Sequence, residues 1–419
     1  MTAPTQACAV IVGGGHAGSE AAVSLRQNGF SGRILIISDE PGLPYQRPPL
    51  SKAYLAGTLA AEALPIRPAA AYVKADIEIF NGVAVSALDL EGRSLRLADG
   101  RSLDWSQLIL ATGSRARRLQ LTGLGERQPD NLHFLRNQAD AERLREQLVA
   151  GQHLVIVGGG YIGLEVAAAA KKTGMRVTVL ETQPRVLARV TAPEVSSFYE
   201  QVHCAAGVEL RLNVQLEQAC LDASGQKVEA LITTDGMHIP LDLMLVGVGA
   251  IANTELAEQA GLEVSNGIVV DEFSRTGAAD VYAIGDCSNH PSARYGCRLR
   301  LESIPNAIEQ ARAATSTIVG KPVPYRALPW FWSDQYDLKL QIAGINQGYD
   351  QLLLRSDTAL RSFVAFYLRD GCLIAADCVN RQQEFMAIKK LVQAGFAGDI
   401  GQLADESVSL KDLAASLPA

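Results

Sequence analysis

Two glycine-rich turns hold the residues of this 419-residue chain whose types and spacing best suit chemistry. The first reads Gly13-Gly14-Gly15-His16-Ala17-Gly18 and follows the apolar run Ala9–Val12. The second reads Gly158-Gly159-Gly160-Tyr161-Ile162-Gly163 and follows Leu154–Val157. In a Gly-x-Gly-x-x-Gly turn, one glycine permits the bend, one lets a pyrophosphate approach the backbone, and one lets helix and strand pack closely. The helix N-terminus then offers N–H groups and positive dipole to the phosphates. One such turn is a weak signal. Two, each followed by an acid after the next strand, point to two dinucleotides in one chain and to hydride transfer between them.

The acid that binds a ribose is expected about 20 residues beyond the turn. The candidates are Asp39, with Glu40 beside it, and Glu181 after Arg176–Leu180. A carboxylate there accepts hydrogen bonds from the 2′- and 3′-hydroxyls and repels a 2′-phosphate. Glu181 therefore favours NADH over NADPH. Arg185 and Arg189 follow closely, and either could accommodate a 2′-phosphate; Arg189 could instead contact pyrophosphate or adenosine. Asp286, at the end of the buried run from Val281, is placed for ligand contact.

Two βαβ units must position these groups. The first runs through a strand at Ala7–Val12, a helix from His16 to about Asn28 and a strand at Arg33–Ser38. Small antiparallel strands are predicted near Glu78–Phe80, Ala84–Leu88, Ser94–Leu97 and Ser102–Leu103, with a buried strand over 107–113. A helix is predicted over 139–148, and the second βαβ unit spans about His153 to Glu181. Strands at 207–212 and 227–233 follow, and the run Leu241–Gly249 mirrors the buried strand of the first module. The proline-rich stretch Pro322–Pro329 reads as a boundary. Beyond it, strands at 338–342, 352–354, 363–368 and 372–378 and a helix near 382–393 predict an α+β domain.

Composition narrows the function. Hydrophobic residues make up 48% and charged residues 20%, as in ordinary globular proteins. No apolar run approaches the roughly 18 residues that span a bilayer. The opening Met1-Thr2-Ala3-Pro4-Thr5-Gln6 lacks the basic and apolar regions of a secretory signal, so a cytoplasmic protein without a membrane segment is expected. Seven cysteines form no Cys-x-x-Cys pair and six histidines show no ligand spacing, so no metal site is expected. A net charge of −7 argues against nucleic-acid binding.

Six further segments carry a family resemblance. They are Arg47-Pro48-Pro49-Leu50-Ser51-Lys52, Ala111-Thr112-Gly113, Gly158–Glu165, Tyr282-Ala283-Ile284-Gly285-Asp286, Glu302-Ser303-Ile304-Pro305-Asn306-Ala307 and Trp330-Phe331-Trp332-Ser333-Asp334-Gln335. Over essentially its whole length the chain resembles the FAD-dependent pyridine nucleotide reductases, and within them the ferredoxin reductases that serve bacterial oxygenases. The resemblance implies an α/β fold with two Rossmann-like dinucleotide-binding domains of the glutathione-reductase-like kind, plus the C-terminal α+β domain. FAD would occupy a domain of residues 1–116 and 251–325, NAD a domain of 117–250, and residues 326–419 would form the third.

Carried over by resemblance, Gly13, Gly15, Ala17 and Gly18 would meet the FAD pyrophosphate and Asp39 its ribose. Val85 would contact the adenine end, Arg136 the pyrophosphate, Asp286 the ribityl hydroxyls and Ile304 the ring. Ala111, Thr112 and Gly113 belong to the same set. The NAD set is Gly158, Gly160, Ile162, Gly163, Glu181, Arg189 and Gly249. Lys52 would lie near the reactive edge of the flavin. A buried acid needs a partner, and Lys52 is the partner expected for Glu165. Their joint role would be orientation and charge balance. Trp332, with Trp330 competing, would cover a ring face.

Disulfide reductases of this plan carry a cysteine pair soon after the first βαβ unit, but Pro41–Thr58 contains none. A thiol relay is therefore excluded, and electrons must leave the flavin directly. Cys287 reads as a small residue packed behind Asp286. The expected acceptor is an acidic [2Fe-2S] ferredoxin serving a haem monooxygenase or a ring-hydroxylating dioxygenase. Candidate docking cations are Arg67, Arg312, Lys339, Lys389, Lys390 and Lys411, with Arg312 best placed. An NADH oxidase or a redox-sensing flavoprotein of the same fold is the alternative.

Overall fold

The computed structural model describes residues 7–417; Met1–Gln6, read above for a missing signal, lie outside them. The chain forms two compact units. One comprises Met1–Gln46, Glu62–Arg115 and Ala250–Pro329; the other comprises Arg47–Ala61, Ala116–Gly249 and Trp330–Ala419.

The first unit is built on a five-stranded sheet in the spatial order Val281–Ala283, Gln107–Leu110, Cys8–Val12, Arg33–Ile37, Ile77–Phe80. Every pairing in it is parallel. A parallel sheet covered on both faces needs near-continuous apolar strands, and these strands have them. Ala9, Ile11, Ile34, Ile36 and Ile109 pack on one face against Ala21, Ala22 and Leu25 of the helix His16–Gln27 and Ala311 of the helix Ile304–Ile318. Val10, Val12, Leu35, Ile37 and Leu108 pack on the other against Leu95, Leu97 and Trp105.

One expectation is corrected here. The strand Ile77–Phe80 is not antiparallel; it runs parallel to Arg33–Ile37. The short helix Ala69–Lys74 lies between the two strands and makes the crossover that parallel pairing requires. The strands Val85–Asp89, Ser94–Leu97 and Ser102–Asp104 do form an antiparallel sheet.

The second unit repeats the plan. Its parallel sheet has the order Val208–Arg211, Arg176–Leu180, His153–Val157, Leu243–Val246, Leu132–His133. The helix Tyr161–Lys172 buries Leu164, Val166, Ala167 and Ala170. A five-stranded antiparallel sheet belongs to the same unit, in the order Trp330–Gln335, Leu338–Gly344, Cys372–Val379, Phe363–Arg369, Gln351–Arg355. The Trp330–Gln335 segment is thus a strand in its own right, joined to Leu338–Gly344 by a tight turn at Tyr336 and Asp337. The helix Pro193–Ala205 packs on this sheet, with Phe198 edge-on to Phe363 at 5.1 Å between centroids. Among the described residues no helix is long and apolar enough to cross a membrane.

Candidate functional site

Both glycine turns sit at the carboxyl ends of parallel strands, beside the central strand where the strand order reverses. Ligands bind open α/β sheets at that point. In the first turn a Cβ on Gly13 would come within 2.1 Å of the Ala111 carbonyl oxygen, and one on Gly18 within 2.0 Å of the Gly13 oxygen. These two glycines are required by packing. A Cβ on Gly15 would meet nothing within 4 Å, so that side of the turn is open to a ligand. The second turn has the same division: Gly158 and Gly163 are closed in at 2.4 and 2.1 Å, and Gly160 faces open space. Neither helix has a side-chain cap or an acid in its first turn. Both turns therefore fit a pyrophosphate, which would supply the missing acceptor.

The residues expected around the first turn gather at the same sheet end. Asp286 follows the strand Val281–Ala283 and accepts from Ser114 Oγ at 2.8 Å. A Cβ on Gly285 would stand 3.0 Å from the Ala17 side chain, which places Asp286 next to the glycine turn. Thr112 Oγ1 donates to the Asn253 carbonyl at 2.6 Å, and Asn253 returns a bond to the Thr112 carbonyl at 2.9 Å. The loop leading to Val85 runs along the end of Arg33–Ile37, since Val83 N–H donates to Ser38 O at 3.0 Å. Ile304 is the first residue of its helix, capped by Ser303. Cys287 is fully buried, and burial raises its thiol pKa.

The acids of the two modules are not equivalent by register. Gly13 N–H donates to Ile37 O and Gly158 N–H to Leu180 O, each at 2.8 Å. Ile37 thus matches Leu180, Ser38 matches Glu181, and Asp39 lies one residue further along than its presumed counterpart. Glu181 Oε2 accepts the Gly159 N–H at 2.7 Å, and Oε1 accepts from Gln183 N–H at 2.9 Å. Asp39 is exposed, while Glu40 accepts the Tyr45 hydroxyl.

The two arginines after Glu181 separate. The Arg185 guanidinium is occupied by its own loop and the helix Pro193–Ala205, donating to Thr191 O at 2.9 Å, Ser196 Oγ at 2.6 Å and Ala188 O at 2.8 Å. Arg189 is exposed. Ile162 is 46% exposed, an apolar side chain displayed beside the second turn, whereas its counterpart Ala17 is buried. Gly249 has a φ of +105°, conformational space that favours glycine.

Lys52 and Glu165 meet. Lys52 Nζ lies 2.7 Å from Glu165 Oε2, with the glutamate side chain 3% exposed and the lysine 18%. Glu165 sits on the buried face of the helix Tyr161–Lys172. Lys52 follows the 3-10 turn Pro48–Ser51, and its ammonium also reaches the Pro48 carbonyl at 3.3 Å. Ser51 Oγ donates to Glu165 Oε2 at 2.5 Å, and Ser333 Oγ donates to Glu165 Oε1 at 2.6 Å. The carboxylate thereby has three donors, which offsets the cost of its burial.

Strand alternation explains the competing tryptophans. Phe331 and Ser333 point to the helix Tyr161–Lys172, with Phe331 4.8 Å from the Tyr161 ring. Trp330 and Trp332 point the other way and lie 5.6 Å apart. Trp330 is engaged by Phe385 at 5.7 Å and by the Lys389 ammonium at 5.3 Å. Trp332 stays half-buried.

A match to the model for pyridine nucleotide-disulphide oxidoreductases covers residues 8–311, and a reductase C-terminal model covers residues 330–414. The chain belongs to the pyridine nucleotide-disulphide oxidoreductase family. It is 44% identical to putidaredoxin reductase CamA of Pseudomonas putida over 98% of this chain and 97% of that one. It is 43% identical to a ferredoxin–NAD(P)(+) reductase of Sphingomonas sp., with 98% of each chain covered. The crystal structure of the covalent putidaredoxin reductase–putidaredoxin complex superposes with a TM-score of 0.94 at 44% identity, covering 98% of each chain.

The segment 41–58 holds no cysteine. All seven cysteines are free thiols. The remaining expected residues are more scattered. Arg136 lies in the second unit, where its carbonyl accepts from Arg47 at 2.8 Å. Arg67 and Arg312 share one carboxylate: Arg67 Nη2 is 2.7 Å and Arg312 Nε 3.4 Å from Glu20, and Arg312 also pairs with Glu309 at 2.9 Å. Lys339, Lys390 and Lys411 are exposed.

Two of the three donors to the Glu165 carboxylate carry no motif of their own. Ser51 and Ser333 lie inside quoted segments, and a hydroxyl adjoining Lys52 was the available signal. Asp377 is buried, accepts the Tyr367 hydroxyl at 2.5 Å, and is pushed up to about 7 by burial.

Proposed function

We propose that this chain is an NADH-dependent ferredoxin reductase that binds FAD and passes single electrons to a [2Fe-2S] ferredoxin. The observation that carries the reading is the pair of open glycine cradles in a chain matching putidaredoxin reductase along nearly its full length. FAD, when bound, accepts a hydride from NADH and releases electrons one at a time. With no cysteine between Pro41 and Thr58, the chain offers no dithiol to intervene.

The FAD-binding domain is assigned to 1–116 and 251–325, the NAD-binding domain to 117–250, and the C-terminal domain to 326–419. Gly13, Gly15, Ala17 and Gly18 hold the FAD pyrophosphate, Asp39 the ribose, Asp286 the ribityl hydroxyls, and Val85, Ala111–Gly113, Arg136 and Ile304 complete that site. Gly158, Gly160, Ile162, Gly163 and Gly249 hold NADH, Glu181 binds its ribose, and Arg189 contacts its phosphates or adenosine. Lys52 and Glu165 orient the reacting rings and balance charge. Trp332 excludes water from a ring face. The ferredoxin docks near Arg312, with Arg67, Lys339, Lys389, Lys390 and Lys411 as further contacts, and serves a haem monooxygenase or ring-hydroxylating dioxygenase in the cytoplasm.

The test is anaerobic. FAD-loaded protein should be yellow, bleach on NADH addition, and then reduce a [2Fe-2S] ferredoxin. A protein that stays colourless after reconstitution overturns the reading. Rapid NADH turnover with oxygen and none with ferredoxin would mark an NADH oxidase instead.

A further inference from the structure

Glu165 terminates a buried line of hydrogen bonds. Ser333 Oγ lies 2.6 Å from Glu165 Oε1, and Gln335 Nε2 lies 3.2 Å from Ser333 Oγ. Gln335 Oε1 lies 2.8 Å from His203 Nε2, and the Tyr336 hydroxyl lies 3.3 Å from His203 Nδ1. Ser333, Gln335 and His203 are at most 1% exposed. The Lys52-paired carboxylate sets the direction of the line. An ionised carboxylate only accepts, so Ser333 must donate its one proton to Glu165. Gln335 must then turn its NH₂ toward Ser333 and its oxygen toward His203. His203 must carry its proton on Nε2, leaving Nδ1 to accept from Tyr336. Burial lowers the His203 pKa, which agrees with a neutral ring.

We propose that Ser333, Gln335 and His203 are positioning residues for the Lys52–Glu165 pair, a one-way line of donors that fixes the Glu165 carboxylate and keeps its second oxygen turned to Lys52 and Ser51. Three buried polar side chains stand in line within surroundings that are otherwise apolar. Phe198, on the same helix as His203, and Leu338 and Leu340, beyond Gln335, are apolar core. If the line is cut, Ser333 loses the partner that orients its hydroxyl. Glu165 Oε1 then competes with Oε2 for the Lys52 ammonium, and the lysine is no longer held in one place. The inference rests on the reading that this pair serves hydride transfer.

The experiment is stopped-flow reduction of the FAD-loaded enzyme by NADH. Ser333→Ala and Gln335→Met should each slow the limiting rate by at least about fivefold, the scale of one ordinary hydrogen bond lost. The NADH concentration giving half that rate should stay within about twofold, since no coenzyme contact is removed. The double variant should be no slower than the slower single, because both cut the same line. Glu165→Gln serves as the reference. If Glu165→Gln leaves the rate unchanged, the role assigned to the pair is wrong. If Glu165→Gln slows reduction and Ser333→Ala and Gln335→Met do not, or if their effects multiply, the positioning line is overturned. Should Gln335→Met fail to fold, Ser333→Ala, which deletes one hydroxyl, decides the matter.

Discussion

Glu181 Oε2 accepts the backbone N–H of Gly159 at 2.7 Å, so the acid after the second strand is fastened to the middle of its own glycine turn. Its other oxygen is held by the Gln183 N–H. The carboxylate is therefore placed before any coenzyme arrives. In the first module Ser38 occupies that position, its Oγ accepts from the Glu40 N–H at 3.2 Å, and the acid is deferred to Asp39.

Coenzyme choice should follow from this anchoring. Glu181→Arg removes the ribose acceptor and adds a cation. We predict a shift in relative kcat/KM toward NADPH worth roughly 1–3 kcal/mol, the scale of a polar contact to a charged group. Steady-state kinetics with both coenzymes would show it. A wild-type enzyme indifferent between NADH and NADPH would count against the role of Glu181.

Breaking the Lys52–Glu165 pair from one side should cost more than removing both charges. Lys52→Met leaves a carboxylate that is 3% exposed without its cation. One-sided cuts in buried pairs cost about 3–5 kcal/mol, and the partial exposure of Lys52 puts this one toward the lower end. Lys52→Met/Glu165→Gln should be more stable than Lys52→Met in urea unfolding. The reverse order would mean that Ser51 and Ser333 alone satisfy Glu165.

Asp377 should give the protein a stability that declines with pH. Burial raises its pKa from 3.8 to about 7, against a smaller lowering by the Tyr367 hydroxyl. The folded state therefore holds a proton that the unfolded chain releases. The contribution is complete below about pH 4, fades as pH rises toward 7 and is absent above it. Asp377→Asn cannot ionise, so its Tm should fall less than that of the wild type between pH 5 and pH 8. Parallel Tm profiles would refute the assignment.

Salt should slow ferredoxin reduction but not flavin reduction. Exposed charges act over about 10 Å at 0.1 M salt. The Arg312 side chain is 58% exposed, although Glu309 and Glu20 partly compensate it. We predict that Arg312→Glu raises the KM for a [2Fe-2S] ferredoxin and leaves anaerobic reduction by NADH nearly unchanged. Loss of flavin reduction with an unaltered ferredoxin KM would place Arg312 in a nucleotide site instead.

What could be read from the sequence was local. The glycine turns were legible because a six-residue spacing encodes a backbone shape, and the buried parallel strands because continuous apolar runs mark two covered faces. The displacement of Asp39 was not, since it depends on which strand residue receives the Gly13 N–H. The direction of the strand at Glu78–Phe80 was not legible either, since so short an alternating run carries no sign of it. The Glu165 site was half legible. Its lysine came from a segment quoted as a motif, but Ser333 is 168 residues away and His203 approaches through Gln335. Such contacts are decided by tertiary packing, and no spacing announces them.

The sheet order of the first unit also has a consequence during synthesis. Gln107–Leu110 pairs with Val281–Ala283, about 170 positions later in the chain. At the roughly 5–20 residues per second of a working ribosome, that edge stays unpartnered for roughly 10–35 s. All the principal strands of the second parallel sheet emerge in the interval. An open strand edge is a template for wrong pairing. Recovery of this enzyme from a host cell should therefore depend on elongation speed between codons 111 and 281 as well as on the stability of the finished fold.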